Sequence, residues 1–172
     1  DCAYLEAETG RTLSYLELAN GAETVAGALI RAGIHPEERA ALLVLDQIEF
    51  PQLFFGALKA GIIPVPLNTL LATPVYDAIL RDSRAAILFV SAALWDVVAP
   101  AVAGNPYLRR VVVIGDAPKG TTRYDDFITD ATPAPTCAVS PDEVAFWLYS
   151  SGSTGQPKGV AHVHSALRAT AD

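Results

Sequence analysis

Ten residues, Ser150-Ser151-Gly152-Ser153-Thr154-Gly155-Gln156-Pro157-Lys158-Gly159, combine three glycines, three serines, one threonine and one lysine with no acidic residue. Glycines allow positive φ and let the backbone come close to a ligand. Successive backbone N–H groups in such a turn form a concave anion site. The hydroxyls of Ser150, Ser151, Ser153 and Thr154 add donors, and Lys158 adds a positive charge. The set suits a polyphosphate. It is not a Walker A loop, in which Gly-Lys is followed by Ser or Thr; here Lys158 follows Pro157 and precedes Gly159. The composition by itself also fits a flexible Gly/Ser linker. A linker, however, requires neither Pro157-Lys158-Gly159 nor an apolar run leading into it.

That leading run, residues 144–149, has the length and the aromatic and β-branched content of a buried strand. Upstream, strands and helices alternate. Segments around Tyr4 and Leu13 flank Thr9-Gly10 as a short hairpin. Ser14 and Glu17 have capping-box spacing, and Leu18, Ala22, Val25 and Leu29 follow at helical period up to Gly33. His35 falls in a polar turn before an apolar strand at 40–45, and Asp46 follows that strand as a residue at the start of the next helix. Phe50-Pro51 opens that helix and Gly61 closes it, with Lys59 a solvated charge in its last turn. The strand at 62–67 carries Pro64 and Pro66, which places it near a sheet edge. A helix from Thr73-Pro74 to Ser83, a strand at 86–90, a helix capped by Ser91 with Trp95 as a packing residue, and a strand at 111–114 follow. Residues 115–143 are rich in proline and read as a surface excursion with one short helix near 124–129. Ser165 reads as the cap of a last helix.

This pattern predicts an α/β fold: a doubly wound, mostly parallel sheet with strands at 40–45, 86–90, 111–114 and 144–149. It places the loop 150–159 at the carboxyl edge, where such sheets bind ligands.

The 172 residues are 51% hydrophobic and 18% charged, enough for a sizeable globular core. A net charge of −7 argues against a nucleic-acid partner. Cys2 and Cys137 have no metal-ligand spacing and read as reduced thiols of a cytoplasmic protein. No apolar run approaches the length of a membrane span, no signal peptide is visible, and no metal site is predicted. No oligomeric state follows from the composition.

The stretch from Tyr149 to Val160 resembles the phosphate-binding signature of the adenylate-forming superfamily, which includes acyl-CoA synthetases, peptide-synthetase adenylation domains and luciferases. Leu58-Lys59-Ala60-Gly61-Ile62-Ile63-Pro64-Val65-Pro66-Leu67-Asn68 resembles the helix-to-strand segment upstream in the same superfamily. Residues 64–71 and 158–165 look most like benzoate-CoA ligases and related aryl-CoA ligases. The resemblance implies that residues 1–172 are part of the large N-terminal, AMP-binding domain, and that the rest of that domain and a C-terminal domain lie downstream.

It further implies ATP, Mg²⁺ and coenzyme A as co-substrates and cofactors. The carboxylate of an aromatic acid attacks the α-phosphorus of ATP, pyrophosphate leaves, and the CoA thiol then displaces AMP. Such chemistry needs positioning and electrostatic stabilisation more than covalent help. By matched position, Ser150, Ser151, Gly152, Ser153, Thr154, Gly155 and Gly159 would cradle the phosphates, and Lys158 would balance charge on the loop or on the phosphates. His164 matches a family histidine near the acyl and nucleotide sites, and His162 an additional one in the aryl-ligase version. Either histidine also fits a structural role, capping the next helix or filling a polar gap. Val163 departs from the Thr found in many members and removes a hydroxyl beside His164. The adenine segment, the Mg²⁺ ligands and the C-terminal lysine would lie beyond residue 172. Other readings stay open: a different acyl-CoA synthetase, a peptide-synthetase-type adenylation domain, or a non-catalytic module that binds a nucleotide or a partner.

Overall fold

The computed structural model describes residues 1–151 and 157–171. β1 (Cys2–Leu5) and β2 (Thr12–Ser14) form the expected antiparallel hairpin. α1 (Tyr15–Arg31) starts on a complete capping box between Ser14 and Glu17, and Gly33, with φ +73°, follows its end. β3 (Arg39–Leu43), α2 (Glu49–Lys59), β4 (Ile63–Pro66), α3 (Thr73–Ser83) and β5 (Ile87–Ser91) come next. After a 3₁₀ turn at Ala92–Leu94 come α4 (Trp95–Val102), β6 (Arg110–Ile114), β7 (Thr122–Arg123) and α5 (Tyr124–Ile128). β8 (Val144–Ser151), β9 (Pro157–Val163) and α6 (His164–Ala171) complete the described chain.

Five strands form one parallel sheet in the order β4-β3-β5-β6-β7. Its inner strands β3, β5 and β6 are apolar on both faces because helices cover both. Ala40, Leu42, Ile87, Phe89, Val112 and Ile114 face α1, α2 and α5. Ala41, Leu43, Leu88, Val90 and Val113 face α3 and α4. Leu42, Leu43, Ile87 and Leu88 are fully buried, each stabilising the fold by about 1.5–3 kcal/mol relative to an exposed side chain. The doubly wound α/β architecture is as the alternation of apolar runs predicts.

Several local expectations are corrected. Residues 144–149 are a strand, but within the described residues β8 pairs only with β9, and antiparallel, beside the five-stranded sheet rather than in it. The connection 152–156 is far too short for a crossover, which takes a dozen residues or more. Residues 115–143 are more than a surface excursion. They supply β7, bury Tyr124 and Phe127, and lace across α1 through Ala134 N–H to the Glu23 carbonyl (3.1 Å). Lys59 pairs with Glu23 at 3.2 Å. Ser91 does not cap a helix: its hydroxyl accepts from Leu45 N–H (3.0 Å) and meets Gln47 Oε1 at 2.5 Å. The backbone N–H at the start of α2, on Ile48, is met by Glu6 Oε2 at 3.2 Å rather than by Asp46. Ser165 lies inside α6, whose first N–H groups, on His164 and Ser165, donate to the carbonyls of Glu143 and Pro141.

Candidate functional site

β8 and β9 are the two arms that carry the Gly/Ser loop. Their register pairs Ser151 with Pro157, Ser150 with Lys158 and Tyr149 with Gly159. Ser150, Lys158 and Gly159 are exposed, and Lys158 makes no ion pair among the described residues. The arms therefore present a hydroxyl and an uncommitted ammonium on adjacent strands at the loop's base. Gly152, Ser153, Thr154 and Gly155 lie outside the described residues.

Gly159 has a steric reason. A Cβ there would come 3.0 Å from Tyr149 Cζ and 3.1 Å from its hydroxyl. The bare α-carbon lets the Tyr149 ring pass across the ladder to α3, where its hydroxyl donates to Asp82 Oδ2 at 2.5 Å. Burial pushes the Tyr149 phenol above its ordinary pKa of 10.0, and the bond to Asp82 acts in the same direction. The phenol is therefore a fixed donor at neutral pH. Two residues earlier, Arg39 lies over the Trp147 ring at 5.8 Å, while its Nε donates to the Ser83 carbonyl at the end of α3 (2.6 Å). A cavity of about 280 Å³ opens beside the arms, between Asn68, Leu71 and Val75 on one side and Tyr149, Ser150 and Pro157 on the other.

The two histidines separate. His162 stacks on Phe146 across the ladder and faces α2 through Phe54. His164 begins α6 at the end of β9 away from the loop, roughly 20 Å along the strand from Pro157. It borders an apolar groove of about 490 Å³ lined by Tyr15, Leu18, Phe55 and Leu58. The structure thus brings Ser150, Lys158 and Gly159 together and leaves His164 apart from them.

The donor set fits the phosphate end of a nucleotide: hydroxyl, ammonium and glycine, with no carboxylate on either arm. No group of three His, Cys, Asp or Glu able to hold an ion occurs among the described residues. The sequence reading missed Asp82, Arg39 and β9 itself. Two strand-like runs flanking a short Gly/Ser segment were a hairpin signal. Nothing local pointed to Asp82, which is 67 residues from its partner.

The family described as AMP-binding enzyme matches residues 2–172. The chain is 43% identical over 94% of its length to a 4-hydroxybenzoate-CoA/benzoate-CoA ligase of Rhodopseudomonas palustris, and spans 30% of that ligase. It superposes on a benzoate CoA ligase from Burkholderia xenovorans with a TM-score of 0.87 at 37% identity, over 99% of this chain and 33% of that one. An anthranilate CoA ligase solved with anthranoyl-AMP superposes with a TM-score of 0.90 at 35% identity, over 95% of this chain and 32% of that one.

Proposed function

The chain belongs to the AMP-binding enzyme family, and from that premise we propose that it forms part of the large N-terminal domain of an ATP-dependent carboxylate-CoA ligase for benzoate or a close aromatic relative. The observation that carries the reading is the hairpin, which sets Ser150 and Lys158 on opposed arms below the loop. In this reading the loop residues and Ser150 hold the β- and γ-phosphates through N–H and hydroxyl groups. Lys158 meets the charge that builds on the departing pyrophosphate. His164 serves by contact with a part of a substrate remote from the phosphates, since it lies at the other end of β9. The ligase likenesses named above, to enzymes for benzoate, 4-hydroxybenzoate and anthranilate, support an aromatic acid.

Adenine, ribose and Mg²⁺ are assigned to residues beyond Asp172, and coenzyme A is the proposed thiol acceptor. No helix among the described residues is long and apolar enough to cross a membrane, and we place the enzyme in the cytoplasm with these small-molecule partners.

The test is acid-dependent exchange of labelled pyrophosphate into ATP by the full-length protein, run with benzoate, 4-hydroxybenzoate, anthranilate and octanoate. Exchange driven by the aromatic acids and not by octanoate is expected. Exchange with octanoate alone would overturn the aromatic assignment, and no exchange with any acid would overturn the ligase reading.

A further inference from the structure

Resting on the assignment of the β8–β9 loop to ATP, we propose that Tyr149 and Asp82 are positioning residues for that loop. Their hydrogen bond fixes the loop-bearing hairpin to α3, where no described ladder ties it to the edge of the parallel sheet.

β4 is the edge strand on this side, and β8 runs alongside it. Ile63 N–H donates to the Glu38 carbonyl and Leu67 N–H to the Leu42 carbonyl, both toward β3. Alternation along a strand turns positions 64 and 66 the other way. Both are proline, with no N–H to donate. The outer rim of β4 therefore offers acceptors only, and the described ladder of β8 is with β9 alone. No described ladder joins β8 to β4, so the attachments seen among the described residues are made by side chains.

Among the described residues three side-chain contacts stand out, beside the packing of Trp147 and Tyr149 on the second apolar cluster. Phe146 meets Phe54 of α2 edge-on at 5.6 Å, Trp147 lies under Arg39 at 5.8 Å, and Tyr149 bonds Asp82 at 2.5 Å. The first two grip the beginning and middle of β8. Tyr149 is two residues from the end of β8 and is the nearest of the three to the loop. Packing alone does not explain it, because a phenylalanine would fill the same space. Asp82 also occupies the last turn of α3, where the helix dipole disfavours a carboxylate. Its position there is accounted for by the phenol it receives. A site that acts through phosphate donors must hold them to within about 0.5 Å, and an unanchored hairpin tip would not.

The experiment uses the full-length enzyme and compares Tyr149→Phe, Asp82→Ala, Asp82→Asn and the double variant Tyr149→Phe/Asp82→Ala. In pyrophosphate exchange, Tyr149→Phe and Asp82→Ala should each raise the KM for ATP about tenfold, the scale of one hydrogen bond to a charged group. The KM for the carboxylic acid should stay within about twofold. The double variant should be no worse than either single one, because both remove the same bond. Asp82→Asn keeps an oxygen acceptor and should recover most of the loss. An unchanged KM for ATP in both single variants, equal rises for both substrates, or losses that multiply in the double variant would overturn the proposal while leaving the ATP assignment intact. Wild-type enzyme without exchange would overturn the assignment and the proposal together.

Discussion

The rings of Phe146 and His162 lie face to face across the β8–β9 ladder, with centroids 4.7 Å apart and planes 4° from parallel. Phe146 in turn meets Phe54 edge-on, so the imidazole is the outer layer of an aromatic stack built on α2. His162→Ala should destabilise the protein by about 1 kcal/mol, the scale of one cross-strand aromatic pair. It should leave the KM for ATP unchanged, and His162→Phe should restore the stability. Thermal unfolding and exchange kinetics read both. A large fall in kcat at unchanged stability would instead put the imidazole in the chemistry.

Lys158 is exposed on its arm and opposite Ser150, so its ammonium is available to a ligand. Lys158→Ala should lower the exchange rate about tenfold or more, on the scale of removing one charge-stabilising donor, with no shift in the unfolding midpoint. Lys158→Arg should recover only part, because a planar guanidinium does not replace a compact ammonium. Wild-type exchange by Lys158→Ala would remove the lysine from the phosphate site.

Gly27 sits inside α1, where alanine ordinarily gains about 1 kcal/mol in helix propensity. Here a Cβ would come 1.9 Å from the Thr132 carbonyl oxygen, which is backbone and cannot swing away. The strap 129–137 must then lift off α1, at a cost of about 1–3 kcal/mol or more. Gly27→Ala is therefore expected to destabilise, with a lower denaturant midpoint. A stabilised variant would show that the strap is not held where the structure places it.

The parts of the fold legible in the sequence are those fixed by local chemistry. The Ser14–Glu17 box, the proline-bearing edge strand at Pro64 and Pro66, and the apolar runs of β3, β5 and β6 each carry their own signal. The parts that were not legible depend on distant partners. Ser91 has a capping residue's chemistry, but Leu45 and Gln47 take its hydroxyl. β8 reads by composition as a buried strand of the mostly parallel sheet, yet its neighbour is set by the five residues that follow it. At the site, Ser150 and Lys158 stood out by type and spacing. Asp82 did not, because an exposed aspartate near a helix end has no local mark of the tyrosine it holds.

Alkaline pH gives a separate reading of Tyr149. Burial and Asp82 favour the protonated phenol in the folded state, so its pKa is raised above 10.0. Its contribution to stability is then complete below that value and is lost as pH rises toward the folded-state pKa. The stability difference between wild type and Tyr149→Phe should be constant from about pH 7 to about pH 9 and shrink above about pH 10. Taking the difference cancels the buried Tyr124, which shifts the same way. Urea unfolding across this range measures it, and a difference that stays flat to about pH 11 would mean the phenol is not held as described.

The last prediction concerns the 172 residues on their own. They carry the arms of the loop proposed to hold phosphate, but no described cluster able to hold a metal, and they span 30% of the Rhodopseudomonas ligase. Phosphate contacts must offset the loss of freedom on binding and the ordering of the groups that make them. Without base and metal contacts little remains to hold ATP. The hairpin also shows Leu148 and Val160, 42% and 49% exposed, on strands that in a ligand-competent enzyme would need cover. The isolated chain should therefore form no benzoyl-adenylate from ATP, Mg²⁺ and benzoate, and should self-associate as its concentration rises. Chromatography of the reaction for AMP and benzoyl-adenylate, with sedimentation for association, tests both. Turnover above a no-protein control would place the metal and adenine contacts within these residues after all.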